Sequence, residues 1–484
     1  MADRKPKAIR SLIWTGLESI GLSGVSFVTL VVLSRYVTPS EFGVASLALA
    51  VIQILGIPLE LGFHDALVQK PDVEDRHFNT AFTSTVSLGL VLCLLCWVFA
   101  GAFSRMVGDP MAGTVLQWMS LSLPATGFGS AVVAYQRREF QFRSLAIRSL
   151  SARLGAAAIA ITMAVLGAGV WSLVAQQVLM VSMSTATLWA LSSFRPRIDF
   201  SRSHFIVLAK FGARSTASML LVFSIQRIFM LFVGSRFGSA SAGLLNLAFR
   251  AVDMLRDLMA GAVSQLALPL FSRHQADRAV LFEKYGLAVI LTCGLTLPIF
   301  ALFAACTPEI VAVVFGPQWA AVTPYMIAMA LLTFQSFPRM FASPLMTSLG
   351  YPQYPIPSQI LQLILLVAGM LTLGSISPLG ALAVWVLRVL IVTPIDMYRL
   401  KRTVGLSYRG QIPGYLRTAS MAAVSALSAK GVGLALPAEV PGVLRLIAML
   451  AIGGAMYLGL TLAFNRVFLS RLIEMARSFK EKTS

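Results

Sequence analysis

The sequence predicts an all-α membrane protein that crosses the bilayer about fourteen times. Of its 484 residues, 57% are hydrophobic and 12% are charged, and the mean hydropathy is +0.79. A soluble domain carries about 25% charged residues, so this composition excludes an ordinary soluble protein. Apolar stretches of about 20 residues recur along the chain, which is the length that a helix needs to cross the hydrocarbon core. Outer-membrane strands would instead alternate over about 10 residues.

The predicted spans follow one another with short connectors that leave no room for a soluble domain. The basic opening "MADRKPKAIR" precedes an apolar run that reaches Val37 without a small-residue cleavage site, so we expect an uncleaved first span rather than a signal peptide. Pro338 in "QSFPRMFASP" predicts a kink in the tenth span. The predicted spans are 13–35, 42–63, 80–104, 112–135, 146–167, 170–193, 211–235, 241–265, 285–306, 319–345, 354–374, 378–398, 413–435 and 443–465.

The distribution of Lys and Arg predicts the orientation of the chain. Of the 39 basic residues, 28 fall on the side of the membrane that holds both termini, 4 fall on the opposite side and 7 lie within spans. Such a bias places the richer side in the cytoplasm. We therefore expect a multi-pass protein with cytoplasmic N- and C-termini, in which the net charge of +19 reflects topology rather than nucleic-acid binding.

Two stretches about 200 residues apart resemble each other. "SRYVTPSEFGVASLALAVIQ" at 34–53 aligns with "SRFGSASAGLLNLAFRAVD" at 235–253 with one gap, and Gly43 matches Gly243. Each stretch leaves one span, makes a short outer loop and enters the next span. Internal repeats of this kind build transporters, with the substrate site between the halves. The expected organisation is an N-lobe of six helices (1–200), a C-lobe of six (201–400), and two further helices with a basic tail (401–484).

The eighth span carries charges on one face. With about 100° per residue, six polar or small residues fall with Arg250 on a stripe about 80° wide, and Arg256 lies just beyond it. A charge at the centre of a bilayer costs about 2.5–3.5 kcal/mol or more, so this face is expected to contact protein or a water-filled cavity. The residues that share the stripe with Arg250 are Gly243, Asn246, Asp253, Asp257, Gly261 and Ser264.

Two interpretations of this face remain open. Arg250, Asp253, Arg256 and Asp257 could neutralise one another and join helices together. Alternatively, the Arg side chains could bind an anionic substrate while the carboxylates orient them or bind a coupling ion. Guanidinium groups remain charged and match phosphate oxygens bidentately, which favours the second interpretation in a transporter.

Further polar residues inside spans support a cavity. Gln53 in the second span corresponds by the repeat to Asp253, and Ser46 corresponds to Asn246, so both halves carry a polar face at the same place. The candidate substrate-binding residues are Arg227, Arg250, Arg256, Arg339 and Arg388, and the candidate ion-coupling or partner residues are Glu18, Asp253, Asp257, Gln53 and Asn246. Arg153, Arg445 and Glu60 lie near span ends, where their charges are expected to reach the membrane interface.

No enzyme signature is present in the sequence. The four His residues are scattered, and no H-E-x-x-H, nucleotide-binding loop or G-x-S-x-G occurs. Cys93 and Cys96 form a C-x-x-C inside an apolar span without a second ligand pair, so metal or redox chemistry is not expected there. We therefore expect no catalytic residues, no metal and no cofactor, and a proton or sodium gradient is the candidate energy source.

The motifs "LSRYVTPSEFGVASLALAVIQI", "LGFHDALVQK", "RREFQFRSLAIRSLSAR", "LGAGVWSLVAQQ" and "FGPQW" resemble the polysaccharide-transport family of the MOP flippase superfamily over about residues 10–430. The resemblance implies a MATE-like fold, with two six-helix bundles around a central cavity and two extra C-terminal helices. It also implies a location in the bacterial inner membrane and transfer of polyprenyl-pyrophosphate-linked oligosaccharide from its cytoplasmic to its periplasmic leaflet, for O-antigen, capsule or exopolysaccharide synthesis, by alternating access.

Other functions remain open beside this one. A net positive interior suits a pyrophosphate headgroup better than a cationic drug, but a peptidoglycan lipid precursor or a drug are alternative cargoes. A membrane glycan polymerase or ligase would need a large outer loop with catalytic Arg or His, and the outer loops here are short. The expected partners are lipid-linked oligosaccharide, membrane lipids and a polysaccharide polymerase, with no nucleic acid.

Overall fold

The structure is a computed structural model. It describes residues 21–465 apart from 62, 71, 274–276, 352 and 438, together with 468 and 470. Over these residues all regular secondary structure is helical, which confirms the predicted fold class. The chain forms two compact units, residues 1–246 (the first unit) and 247–484 (the second unit). The predicted lobe boundaries at 200 and 400 stay a prediction.

The first unit begins, within the described residues, at an apolar helix. Its helices are α1 (Gly21–Tyr36), α2 (Pro39–Leu61), α3 (His64–Gln69), α4 (Asp75–Val107), α5 (Pro110–Ser120), α6 (Ser122–Arg138), α7 (Phe142–Val165), α8 (Val170–Leu191) and the greater part of α9 (Arg202–Arg273). Asp109 accepts a hydrogen bond from the Met111 amide at 2.9 Å, and Pro110 follows at the first helical position, so the sequence itself begins α5 there.

The second unit contains the end of α9 and the remaining helices. These are α10 (Arg278–Ala305), α11 (Thr307–Ile310), a π-helical turn (Val311–Phe315), a 3₁₀ turn (Pro317–Val322), α12 (Thr323–Ser336), a 3₁₀ turn (Phe337–Arg339), α13 (Ala342–Ser348), α14 (Ile356–Leu371), a 3₁₀ turn (Leu373–Ser375), α15 (Pro378–Val404), α16 (Tyr408–Gln411), α17 (Tyr415–Ala435) and α18 (Gly442–Phe464). Ser377 caps α15 by accepting from the Gly380 amide at 3.0 Å, and Gly405 ends it in a left-handed conformation.

Nine stretches of the described chain are long and apolar enough to cross a membrane, and two shorter apolar helices accompany them. The chain is thus a multi-pass membrane protein. The tenth predicted span is broken: α12 ends at Ser336, a 3₁₀ turn contains Pro338, and α13 restarts at Ala342, which confirms the kink. The seventh and eighth spans lie within α9 and are joined at Gly238, whose φ of 84° and ψ of 169° are not helical.

The two repeated stretches meet inside the first unit. A Cβ on Gly43 would lie 1.7 Å from the Ser239 carbonyl oxygen, and a Cβ on Gly243 would lie 2.0 Å from the Pro39 carbonyl oxygen. Each glycine therefore faces the backbone four residues before the other, as a local two-fold relation requires. The Ser40 and Ser239 hydroxyls are hydrogen-bonded at 2.8 Å. Small residues let helix backbones approach this closely in a membrane.

Candidate functional site

The charged stretch of α9 contains ion pairs within one helix. Arg256 lies 2.9 Å from Asp253 and 3.9 Å from Asp257, and its side chain is 45% exposed. Arg250, six residues earlier, is partly buried. Asn246 is buried, whereas the Asp257 side chain is 70% exposed. Arg256 is therefore a paired cation, as in the interpretation in which the charges neutralise one another. Because the Arg256 side chain is exposed, its guanidinium is also accessible to a ligand.

Two predicted residues from different helices share a cavity in the first unit. Arg227 of α9 and Gln53 of α2 line a space of about 260 Å³ together with Gln177 of α8 and Glu60 at the end of α2. Arg227 is partly buried and Gln53 is exposed. This cavity, called here the Arg227 cavity, is defined by Gln53, Glu60, Gln177 and Arg227. A cation, an acid and two amides in one space form a site that can bind an anionic, hydroxyl-rich ligand.

Arg339 belongs to a buried polar cluster in the second unit. The 3₁₀ turn places its guanidinium against the carboxylate of Asp396 in α15, and it also donates to Gln335 at 3.1 Å and to Thr393 at 2.8 Å. Asp396 is 7% exposed and also pairs with Arg399 at 3.3 Å. Its cation partners make the cluster an intramolecular network rather than an open anion site.

Ser358 and Tyr354 complete that cluster. The Ser358 hydroxyl donates to the Asp396 carboxylate, and the Tyr354 hydroxyl donates to the Asp396 carbonyl oxygen at 2.8 Å. Arg399 in turn donates to Ser358 at 2.7 Å and to the Tyr354 carbonyl oxygen at 2.9 Å. A buried charge is tolerated only when it is paired and hydrogen-bonded, and Asp396 satisfies both conditions.

Arg388 is buried between an aromatic ring and an amide. Its guanidinium lies 3.6 Å from the centre of the Trp385 ring and donates to Gln362 of α14 at 2.7 Å. Trp385 in turn meets Phe249 of α9 edge-to-face, with ring centres 5.1 Å apart. The cation–π contact offsets part of the desolvation of the Arg388 charge. This geometry is that of a residue joining α14 to α15.

The structure thus separates the predicted residues into three groups. Gln53 and Arg227 share a cavity, Asp253, Arg256 and Asp257 form a chain of ion pairs along α9, and Arg339 and Arg388 contact other side chains of the second unit. Glu18 lies outside the described residues. No prediction included Asp396, although "VTPIDMYRL" places an acid two residues after a proline near the end of an apolar span, which is the signal that could have identified it.

The described residues contain no group of three or more His, Cys, Asp or Glu side chains able to hold a metal ion. Cys93, Cys96, Cys293 and Cys306 are free thiols in buried positions. Cys93 lies 3.2 Å from the Ser120 hydroxyl, which joins α4 to α5. These cysteines therefore pack as small apolar residues in the described part of the chain.

The sequence is similar to known transport and biosynthesis proteins. It is 30% identical over 323 residues to the succinoglycan biosynthesis transport protein ExoT of Rhizobium meliloti (strain 1021), a match that covers 66% of this chain and 65% of that one. It is 21% identical to the lipopolysaccharide biosynthesis protein WzxC of Escherichia coli (strain K12), over 66% of this chain and 65% of that one. The chain therefore spans slightly less than two thirds of the length of these relatives.

Solved structures share the fold at low sequence identity. The lipid II flippase MurJ, in an inward closed conformation, superposes with a TM-score of 0.76 over 95% of this chain and 100% of that one, at 16% identity. The inward-facing form of a multidrug resistance MATE family transporter of the MOP superfamily superposes with a TM-score of 0.60 over 82% and 98%, at 14% identity. The predicted MATE-like helical fold is confirmed.

A family assignment follows from the matched region and agrees with this fold. Residues 32–324 match the protein-family model described as "Polysaccharide biosynthesis protein", which is more than half of the chain. That region contains both repeated stretches, the Arg227 cavity and the charged stretch of α9. The chain is a multi-pass membrane protein with the helical fold shared by MurJ and the MATE family transporter, and it belongs to the polysaccharide biosynthesis protein family.

Proposed function

We propose that this protein is a flippase that carries polyprenyl-diphosphate-linked oligosaccharide repeat units across the bacterial inner membrane by alternating access. The observation that carries the proposal is the Arg227 cavity, in which a guanidinium lies among amide side chains inside a helical membrane unit. Family membership and the fold shared with MurJ support it. Intramembrane ionisable residues mark transport pathways.

The chemistry of the substrate fits these residues. A diphosphate carries several acceptor oxygens, which Arg binds bidentately, and sugar hydroxyls bind amides such as Gln53 and Gln177. Arg250 and Arg256 of α9 are also proposed to bind phosphate oxygens of the substrate. Asp253 and Asp257 then orient the cations, or bind a proton or sodium ion that couples transport to a gradient.

Transport of this kind requires no catalytic residue, and we assign the protein no enzymatic activity. Both termini are proposed to lie in the cytoplasm, on the side with the larger share of Lys and Arg. A polysaccharide polymerase on the opposite side of the membrane is the proposed consumer of the product. Fusion of a periplasm-active reporter to each terminus tests the orientation, and an active reporter at either end would contradict it.

The central test is transport by purified protein in proteoliposomes that contain a fluorescent lipid-linked repeat unit. Arg256→Ala and Arg250→Ala are expected to abolish the protein-dependent movement of label to the other leaflet while insertion and thermal unfolding stay unchanged. Arg105→Ala, at the exposed end of α4, is the matched control and retains transport. Full activity of both α9 variants would remove these residues from the site.

The same preparation distinguishes the alternative cargoes. Movement of a labelled peptidoglycan lipid precursor, or efflux of a cationic dye, in place of the repeat unit would contradict the proposed substrate. Joining of glycans by the purified protein would assign it instead to the polymerases or ligases. Transport that continues after ionophores have collapsed both the proton and the sodium gradient would exclude the proposed ion coupling.

A further inference from the structure

The first unit contains a second cavity that none of the candidate substrate residues lines. It measures about 400 Å³ and lies among the end of α2, one side of α6 and the facing sides of α7 and α8. Its lining includes three arginines, Arg137 of α6 and Arg148 and Arg153 of α7. We call it the arginine cavity, defined by these three residues and by Glu60, Ser149 and Ser184. Its volume falls within the range of about 300–1,000 Å³ that small-ligand sites occupy.

The described lining of this cavity is net positive. Glu60 is its acid, and the Glu60 carboxylate interacts electrostatically with Arg148 and Arg137. Arg153 donates a hydrogen bond to the Ser26 hydroxyl of α1. Three cations facing one acid inside a membrane unit carry a desolvation penalty that a second anion would reduce.

Hydroxyl groups surround these charges. Ser130 of α6, Ser149 of α7, and Ser184 and Thr185 of α8 line the same space, and the Thr185 hydroxyl donates to the Ala125 carbonyl oxygen at 2.9 Å. Arg guanidinium groups and Ser hydroxyls are hydrogen-bond donors that match the oxygens of a phosphate ester or diphosphate. A cationic or purely apolar ligand would find no complement among three guanidinium groups.

The arginine cavity is next to the Arg227 cavity. Glu60, Thr126 and Val181 line both spaces. Glu60 therefore lies where an anion leaving Arg137 and Arg148 would pass toward Arg227. The stretch 137–148, which includes the end of α6 and the start of α7 and carries four arginines, is predicted to face the cytoplasm, the side on which a lipid-linked repeat unit is expected to enter.

We infer that the arginine cavity is a site on the cytoplasmic side of the protein that binds the diphosphate group of the substrate before this group reaches Arg227. The assignment of that diphosphate to a lipid-linked repeat unit rests on the proposed function. Diphosphate binding itself rests on the three arginines and the hydroxyls. When the anion binds, it replaces Glu60 as the counter-charge of Arg148 and Arg137.

The test measures binding to purified full-length protein in detergent, with inorganic diphosphate and farnesyl diphosphate as probes. Arg148→Gln and Arg153→Gln are each expected to raise the Kd of both probes about 10- to 100-fold, because each removes charge-assisted hydrogen bonds. Arg143→Gln removes the same charge from the exposed start of α7, outside this lining, and keeps the wild-type Kd.

Glu60→Gln provides a gain-of-affinity test that does not depend on how well the Arg variants fold. Removal of the competing carboxylate is expected to tighten diphosphate binding about two- to fivefold. Weaker binding by Glu60→Gln would overturn the inference, as would one Kd shared by wild type, Arg148→Gln, Arg153→Gln and Arg143→Gln. Tighter binding of farnesyl diphosphate than of inorganic diphosphate supports a lipid-linked ligand.

Failure of this site and failure of the proposed function give different results. If the wild type moves the lipid-linked repeat unit in proteoliposomes but Arg148→Gln and Arg153→Gln bind diphosphate normally, the site is wrong and the function stands. If the wild type moves no repeat unit but binds diphosphate through Arg148 and Arg153, the function is wrong and the site stands for free diphosphate.

Discussion

The contact between the two repeats at Gly43 and Gly243 leads to a sharp prediction. Gly43→Ala places a methyl group 1.7 Å from the Ser239 carbonyl oxygen, a backbone atom that no side-chain rotation can move away. Ordinary contact begins near 3.4 Å, so the two segments must separate by roughly 1.7 Å at this point. Gly56 lies on the same helix with no atom within 4 Å of an added Cβ, so Gly56→Ala is the matched control.

The size of the effect follows from the overlap. Insertion of a methyl group into a well-packed contact costs about 1–3 kcal/mol, and each 1.4 kcal/mol is about a tenfold change in an equilibrium constant. Gly43→Ala is therefore expected to lower, about 5- to 150-fold, the equilibrium constant for contact between the segments around Gly43 and Gly243. Separation also breaks the 2.8 Å hydrogen bond between Ser40 and Ser239.

Disulfide formation between introduced cysteines measures how often the two segments are in contact. Ser40→Cys with Ser239→Cys, in a chain whose four native cysteines are replaced by Ala, is expected to cross-link readily because the two hydroxyl oxygens are in contact. Adding Gly43→Ala lowers the initial cross-linking rate at least fivefold, whereas adding Gly56→Ala leaves it unchanged. Equal rates in the two backgrounds would refute the reasoning. Under the proposed function, the disulfide also stops transport until a reductant is added.

Three further predictions concern stability, measured by thermal unfolding in detergent. Asp396→Asn removes the buried acid that two partly buried arginines share and is expected to destabilise the protein by about 3–5 kcal/mol. Asp257→Asn, at a side chain 70% exposed, is expected to change the stability by less than about 1 kcal/mol, so similar melting temperatures of the two variants would contradict this reasoning. Arg388→Lys gives up the planar stacking on Trp385 and is expected to lose about 1–2 kcal/mol, so an unchanged unfolding temperature would count against the cation–π contact. Gly238→Ala forces a side chain into φ 84°, ψ 169° and is expected to lose about 1–3 kcal/mol, and a neutral effect would mean that this turn is not strained.

Much of the architecture was predictable because helix formation in a membrane depends on local composition. A run of about 20 apolar residues has to satisfy its own backbone hydrogen bonds in lipid, so length and hydropathy alone mark the spans. The repeat could also be recognised in the sequence, because close approach of two helix backbones requires a small residue, and Gly43 and Gly243 meet this requirement in the two copies. Pro338 likewise predicted the break between α12 and α13.

The site was less predictable because the partners of a charge are set by contacts between helices. Helical periodicity placed Asp253 and Arg256 near one face, and their ion pair is local. It could not show that Arg339 is paired with Asp396, 57 residues away, or that Arg388 is stacked on Trp385. The predicted net positive charge inside the spans did not include Asp396, because an acid near the end of a span cannot be distinguished in the sequence from one in the following loop.

By itself, then, the sequence determined the class of protein, the order and approximate limits of its helices, the repeat, and the presence of unusual charge within apolar spans, because each of these depends on residues close together in the chain. Tertiary structure alone decided which charges on different helices neutralise one another and which line a cavity. Arg137, Arg148 and Arg153 appear in the sequence as loop or span-end residues, and only the packing of α6, α7 and α8 brings them to one space with Glu60. A charge acquires its chemical role from its neighbours, and in a helical bundle those neighbours come from other helices.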